Sequence, residues 1–209
     1  MAGGWLGFRL ARAWRDEERL AGWSIAEAAM LADLTGKRVA LVGNARALAE
    51  GQAGAEIDGH DLVIRVNRAP MPSAASHGRR IDWLALAVRI DAAALARLDP
   101  KLVLWMSHKR KRLPWAAVQR RFYLYPQGDI RQLWAALAAQ PTTGLMLIDL
   151  LARSQVAAVD LYGFDFFASR SLTGSRTAEK VPHDFAAERG FVERLLAADP
   201  RFAWHRPGG

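Results

Sequence analysis

Val39-Ala-Leu-Val-Gly-Asn44 decides the fold: an apolar run that reads as a buried strand stops at a glycine and hands over to a polar, helix-opening segment. Val159-Asp-Leu-Tyr-Gly-Phe-Asp165 repeats the pattern, and Asp61-Leu-Val-Ile-Arg-Val-Asn-Arg-Ala-Pro70 is a third apolar run, ending in asparagine and arginine. The carboxyl ends of strands are where an open α/β sheet binds nucleotides. Strand ends carrying Gly, Asn and Arg therefore predict one phosphate-sized pocket.

Outward from these runs, apolar positions between about Trp5 and Leu34 recur at three and four, predicting one or two helices broken near Gly22 and recapped around Ser24. A helix opens at Ala45, and the polar stretches Gly51 to Gly59 and Met71 to Gly78 read as loops. Ile81 to Ala87 and Lys101 to Met106 read as strands, with a helix over Asp91 to Leu98 between them. Trp115 to Arg121, Phe122 to Tyr125 and Ile130 to Ala139 follow as helix, short strand and helix. Thr142 is a candidate N-cap for a helix through Leu151, and Ala157 to Tyr162 is a strand. Asp165 to Val181 reads as a loop, and Asp184 caps a last helix to about Ala198 before a terminal strand at Arg201 to Trp204. Strands alternating with helices imply an α/β class with a mostly parallel sheet flanked by helices. Residues 1–34 form an N-terminal helical segment and 35–209 carry the sheet, within one globular domain of a 209-residue chain.

The formal net charge is +8, with an isoelectric point near 10.5, so an anionic partner is expected: a nucleotide, an acidic membrane surface, a nucleic acid or an acidic glycan. No RNA-binding aromatic motif or helix-turn-helix pattern accompanies the charge, which sets nucleic acid aside. The absence of cysteine removes disulfides and thiolate chemistry and agrees with a reducing cytosol. No stretch approaches the ~18 residues of a membrane span, and no secretory core precedes the first charges. Trp5, Phe8, Leu10 and Trp14 interleave with Arg9, Arg12 and Arg15, a stripe that packs on the domain or lies on an anionic bilayer.

Neither a G-x-G-x-x-G fingerprint nor a Walker loop is present, which argues against dinucleotide oxidoreductases and P-loop kinases. Gly43-Asn44 permits close backbone approach to an anion. Pro141-Thr-Thr-Gly144 offers two hydroxyls and a glycine at a helix N-terminus, either as a cap or as a phosphate site. His183 stands beside Asp184 with Glu188 one turn on, and an imidazole there can take a proton from a hydroxyl near neutral pH. His60, His77, His108 and His205 lack a comparable neighbourhood. With no Asp-x-Asp, no His-x-x-x-His and no cysteine cluster, no metal is expected; Asp160 and Asp165 read as capping or structural carboxylates rather than Mg²⁺ ligands. His108-Lys-Arg-Lys-Arg112 reads as a solvated loop that can steer an anion.

In this order, these pieces resemble the sialyltransferases of glycosyltransferase family 29. Residues 39–70, VALVGNARALAEGQAGAEIDGHDLVIRVNRAP, look like the large sialylmotif; residues 141–164, PTTGLMLIDLLARSQVAAVDLYGF, look like the small one; His183 and Glu188 match the H-x-x-x-x-E of the very small motif. The resemblance implies a single-domain, Rossmann-like, modified GT-A fold. It implies a nucleotide-sugar transferase that uses a CMP-activated acidic sugar as co-substrate, with no cofactor or metal. By similarity, Gly43, Asn44 and Asn67 face phosphate and ribose, and Thr142, Thr143 and Gly144 hold the nucleotide from the other side, near Gly163 and Phe164. His183 would be the general base that deprotonates a glycan hydroxyl for an inverting attack on the anomeric carbon. The sugar is sialic acid or a related 2-keto acid such as Kdo, and the acceptor a lipopolysaccharide, capsule or glycolipid type of glycan.

Two departures from the family carry information. Animal members have a histidine-led aromatic motif before the catalytic histidine; Ser171 to Pro182 contains neither histidine nor aromatic, leaving Arg170, Arg176, Thr177 and Lys180 as candidates to stabilise phosphate. Animal members also join the large and the small motif by a disulfide, at positions that are Val39 and Val156 here. A bridge closing such a loop contributes about 4.7 kcal/mol and each buried valine about 1.5 to 3 kcal/mol, so packing largely offsets the bond. That swap suits a bacterial-type cytoplasmic enzyme, either soluble or peripheral at the inner membrane. Two other readings stand beside it: a CMP-sugar hydrolase or degenerate transferase, and a non-enzymatic module for an anionic surface.

Overall fold

Each apolar run becomes one strand of a single sheet. The computed structural model describes residues 4–165 and 183–206. The strands are β1 (Arg38–Val42), β2 (Leu62–Val66), β3 (Trp83–Leu86), β4 (Leu102–Trp105), β5 (Phe122–Leu124), β6 (Ala158–Tyr162) and β7 (Phe202–His205). They lie in the order β5-β4-β3-β2-β1-β6-β7, and every neighbouring pair is parallel. Val39 pairs with both Leu62 and Val159, which puts β1 in the interior of the sheet, between β2 and β6. The chain winds outward from β1 to β5, then returns to lay β6 on the other edge of β1. Such a reversal marks where ligand crevices open outside the carboxyl ends of strands.

Helices α1 (Trp5–Trp14), α2 (Glu17–Ala21), α3 (Glu27–Leu34), α4 (Gly54–Asp58), α5 (Ala74–His77), α6 (Ala92–Leu98), α7 (Trp115–Val118), α8 (Gln127–Leu137), α9 (Thr143–Ala152) and α10 (Phe185–Ala198) cover the two faces. Val39, Leu41, Ile64, Trp83 and Leu104 point to one face and pack under α3, α8, α9 and α10. Leu84, Leu86, Val103 and Trp105 point to the other, under α1, α2, α6 and α7. Burial on both faces is why these strands read as continuous apolar runs rather than alternating ones. α9, whose every apolar residue from Leu145 to Leu151 is buried, is the helix laid flat on the sheet. Val39 and Val156 are both buried in the α9-side core.

Some local expectations change. The N-terminal segment is three helices rather than one or two, because Arg15 turns left-handed (φ 57°) to end α1 and the Asp16 carboxylate caps α2. The stretches read as loops around 51–59 and 71–78 hold α4 and α5. Composition misleads there because tertiary bonds order the segment: the Asp58 carboxylate, ending α4, accepts from the backbone N–H groups of Arg79 (2.8 Å) and Arg80 (2.9 Å) just after α5. The helix expected at Ala45 is a 3₁₀ turn, Arg46–Glu50. Beyond Asp165, the loop read to Val181 lies outside the described residues, as do Arg170, Arg176, Thr177 and Lys180. Among the described residues no helix is long and apolar enough to cross a membrane.

Candidate active site

A cavity of about 200 Å³ opens where β2, β3 and β4 end. Asn67, Val88, Ser107, His108 and Lys109 form its sheet side; Pro141, Thr143 and Met146 at the start of α9, and His183 just before α10, close the other. Asn67 follows β2 in the left-handed region (φ 54°), which asparagine tolerates better than most residues. Its backbone N–H donates to the Ala85 carbonyl (2.7 Å) and its Oδ1 accepts from the Ala87 N–H (2.9 Å). The amide is thereby fixed, and its Nδ2 has no protein partner among the described residues.

His183 is oriented by the backbone. Its Nδ1 lies 2.7 Å from the Gln140 carbonyl, which only accepts, so Nδ1 carries the proton and Nε2 keeps a lone pair. Burial holds its pKa below the usual imidazole value; the Gln140 bond works against that and the Lys109 charge works with it. The ring is therefore a neutral base at neutral pH.

Glu188 holds this arrangement from behind. It is 2% exposed, and its carboxylate accepts from the Thr142 N–H (2.6 Å) and the Thr142 hydroxyl (2.7 Å). Burial pushes its pKa up to about 7, against the pull of both Thr142 donors. Thr142 in turn caps α9, its Oγ1 accepting from the Leu145 N–H (3.1 Å). One carboxylate thus ties α10 to the start of α9, two residues beyond the carbonyl that orients His183.

Of the residues expected to act together, the cavity wall unites Asn67, Thr143 and His183. Gly43, Asn44, Thr142, Gly144, Gly163 and Phe164 stand beside it rather than on it. The Asn44 amide donates to the Val66 carbonyl (3.3 Å), next to Asn67. Gly43 and Gly144 make room for a neighbour: a Cβ on Gly43 would strike the Gly163 carbonyl, and one on Gly144 would sit 2.6 Å from the Phe164 ring. Gly163 itself adopts φ +66°. Phe164 is a wedge between the ends of β1 and α9, anchored by its carbonyl accepting from the Trp204 indole (2.8 Å).

Other side chains escape a reading by motif. His108, Lys109 and Arg112 line the cavity, although His108 carries no motif and its run reads as a solvated loop. The polar end of an apolar run, Trp105-Met-Ser-His108, is the available signal, the same one that marks Gly43-Asn44. Arg110 is not solvated: it is fully buried, its guanidinium donating to both Glu17 carboxylate oxygens (2.8 and 2.9 Å) and to the Ser107 and Tyr125 carbonyls. His60 and His205 do have a partner, since their Nε2 atoms meet the two oxygens of Asp160 at 2.9 and 2.6 Å. Asp160 is thus the structural carboxylate of the two readings given it. Among the described residues no group of three or more His, Asp or Glu is placed to hold a metal ion.

The model of glycosyltransferase family 29 (sialyltransferase) matches residues 24–82, which hold β1, β2 and Gly43, Asn44 and Asn67. That stretch is similar to the sialyltransferase family. A mammalian sialyltransferase shares the fold at TM-score 0.59 and 20% identity, over 81% of this chain and 69% of that one. A second structure of a mammalian sialyltransferase, in complex with Gal-β-1-3GalNAc-ortho-nitrophenol, gives 0.58 and 18% over the same shares. The sialyltransferase CstII from Campylobacter jejuni, in complex with the substrate analogue CMP-3FNeuAc, gives 0.58 and 12% over 83% of each chain. No curated protein matches the sequence. The chain therefore shares its architecture with these structures at low identity, and the family match covers the first of its motifs.

Proposed function

We propose that the chain is a metal-independent, inverting glycosyltransferase that moves sialic acid, or a related 2-keto acid sugar such as Kdo, from its CMP donor to a glycan hydroxyl. The observation that carries this reading is His183, with Nδ1 committed to the Gln140 carbonyl and Nε2 free to accept on the wall of a cleft shared with Asn67 and Thr143. Nε2 takes the proton of the acceptor hydroxyl while its oxygen bonds to the anomeric carbon from the face opposite the phosphate. The bond from that carbon to the phosphate oxygen breaks, and its electron pair leaves with CMP.

The Asn67 amide, Thr143 and the α9 N-terminus supply donors for ribose and phosphate, the last backed by the helix dipole. Gly43, Asn44, Thr142, Gly144, Gly163 and Phe164 hold that wall in shape. His108, Lys109 and Arg112 bring positive charge to the same cleft, supporting a role in balancing charge on the departing phosphate that the family's missing aromatic motif would otherwise fill. The acceptor is a lipopolysaccharide, capsule or glycolipid type of glycan, met at a membrane from the cytoplasmic side.

Incubation with CMP-Neu5Ac and with CMP-Kdo against a panel of galactoside and lipopolysaccharide-like acceptors tests this. One donor should yield CMP and glycosylated product in equal amounts, and His183→Ala should cut transfer at least about a hundredfold with CMP affinity kept. CMP released without product would make the chain a hydrolase, and no release from either donor would end the transferase reading.

A further inference from the structure

Helix α1 carries an apolar arc wider than the fold covers. Phe8 and Ala11 are buried, and the Phe8 ring packs against Trp23 (5.6 Å) and Trp115 (5.0 Å), so this side is explained by the fold. Leu6, Leu10 and Trp14, spaced four apart, continue that arc beyond the packed contact and are 65%, 41% and 70% exposed. Trp5 adds a further 52% exposed ring. Of the six large apolar side chains exposed among the described residues, four lie on this one helix, so the stripe is a local feature and not a general property of the surface.

Charge surrounds the stripe. α1 contains no acidic residue, while Arg9, Arg12 and, at its end, Arg15 rise from it. The Arg9 guanidinium lies over the Trp5 ring at 4.7 Å, and a shallow groove of about 420 Å³ is lined by Leu6, Leu10, Ala13, Arg9, Arg12 and Lys111. Apolar side chains including tryptophan, rimmed by cations, match the boundary between acyl chains and anionic headgroups. A second copy of the helix would instead set arginine against arginine. We propose that α1 seats on an anionic lipid bilayer, with Leu6, Leu10 and Trp14 entering the interface and Arg9, Arg15 and Lys111 meeting lipid phosphates.

The consequence for the cleft rests on the transferase reading. Lys111 belongs to the same turn as Lys109 and Arg112, which line the candidate active site. A seated α1 therefore holds that cleft beside the membrane and favours an acceptor carried on a lipid.

The test is co-sedimentation of the full chain with phosphatidylcholine vesicles, with and without about one third phosphatidylglycerol, in low and high salt. The chain should pellet with the anionic vesicles alone and be released by salt; Leu10→Glu/Trp14→Glu should lower partitioning at least about tenfold at an unchanged melting temperature. Arg9→Gln/Arg15→Gln, which leaves the apolar stripe intact, should weaken binding in the same direction. Equal pelleting with pure phosphatidylcholine, unchanged pelleting of the variants, or a dimer dissolved by Leu10→Glu/Trp14→Glu with no vesicle binding would overturn the proposal. A CMP-induced rise in melting temperature, measured on the same samples, keeps the two readings apart: its loss faults the transferase, and its presence without lipid binding faults the bilayer site.

Discussion

The Glu188 carboxylate, itself 2% exposed, accepts hydrogen bonds from both the backbone N–H and the hydroxyl of Thr142, at 2.6 and 2.7 Å. A carboxylate so buried, with no cation against it among the described residues, is a positioning group and not a stabilising charge.

Its folded-state pKa, about 7, lies above its ordinary value of 4.5, so between these values the folded chain binds the extra proton. Stability contributed by the neutral form is present below the unfolded value and is lost as pH rises through the folded one. Glu188→Gln should therefore flatten the fall in melting temperature between those two pH values. Glu188→Ala should cost about 2 to 4 kcal/mol by leaving the Thr142 donors unpaired beside a new void. Urea midpoints of the three proteins across pH measure both effects; equal slopes for wild type and Glu188→Gln would remove the titration from the argument.

Gly144→Ala pushes a methyl group to 2.6 Å from the Phe164 ring and should destabilise by about 1 to 3 kcal/mol. Phe164→Ala costs packing of its own, but the double variant should lose less than the sum of the two because the clash is gone. A double-mutant cycle on unfolding free energies reads the coupling, and simple additivity would separate the two residues.

Lys109 sits in the cleft and its charge helps to keep His183 deprotonated. The acid limb of the kcat/KM profile should accordingly lie below the ordinary imidazole value of 6.5. Lys109→Gln relieves the repulsion of an imidazolium, so the base protonates at higher pH and the limb moves up. A limb unmoved in that variant would detach Lys109 from the histidine.

The sheet was legible because β1 to β5 are buried almost throughout and β1, β2 and β6 run into Gly43, Asn67 and Gly163, a pattern that needs no long-range information. The caps Thr142 and Asp184 were equally readable, since capping is a contact of near neighbours. What escaped depends on contacts across the chain. The bonds of Asp58 to Arg79 and Arg80 order two short helices that small residues disguise as loops. The pairing of Arg110 with Glu17 turns one arginine of a basic run inward while His108, Lys109 and Arg112 line the cleft. Gln140 acts through its backbone carbonyl, so its side chain carries no signal of its part in orienting His183.

The interior position of β1, between β2 and β6, constrains how the molecule is made. Its partner β6 lies roughly 120 residues further along, so the middle of the sheet closes only after most of the polypeptide has left the ribosome. Until then the open edge of Val39 to Val42 is a free template for stray strand pairing. Expression yield should thus be governed by synthesis rate and chaperone supply more than by the stability of the finished protein.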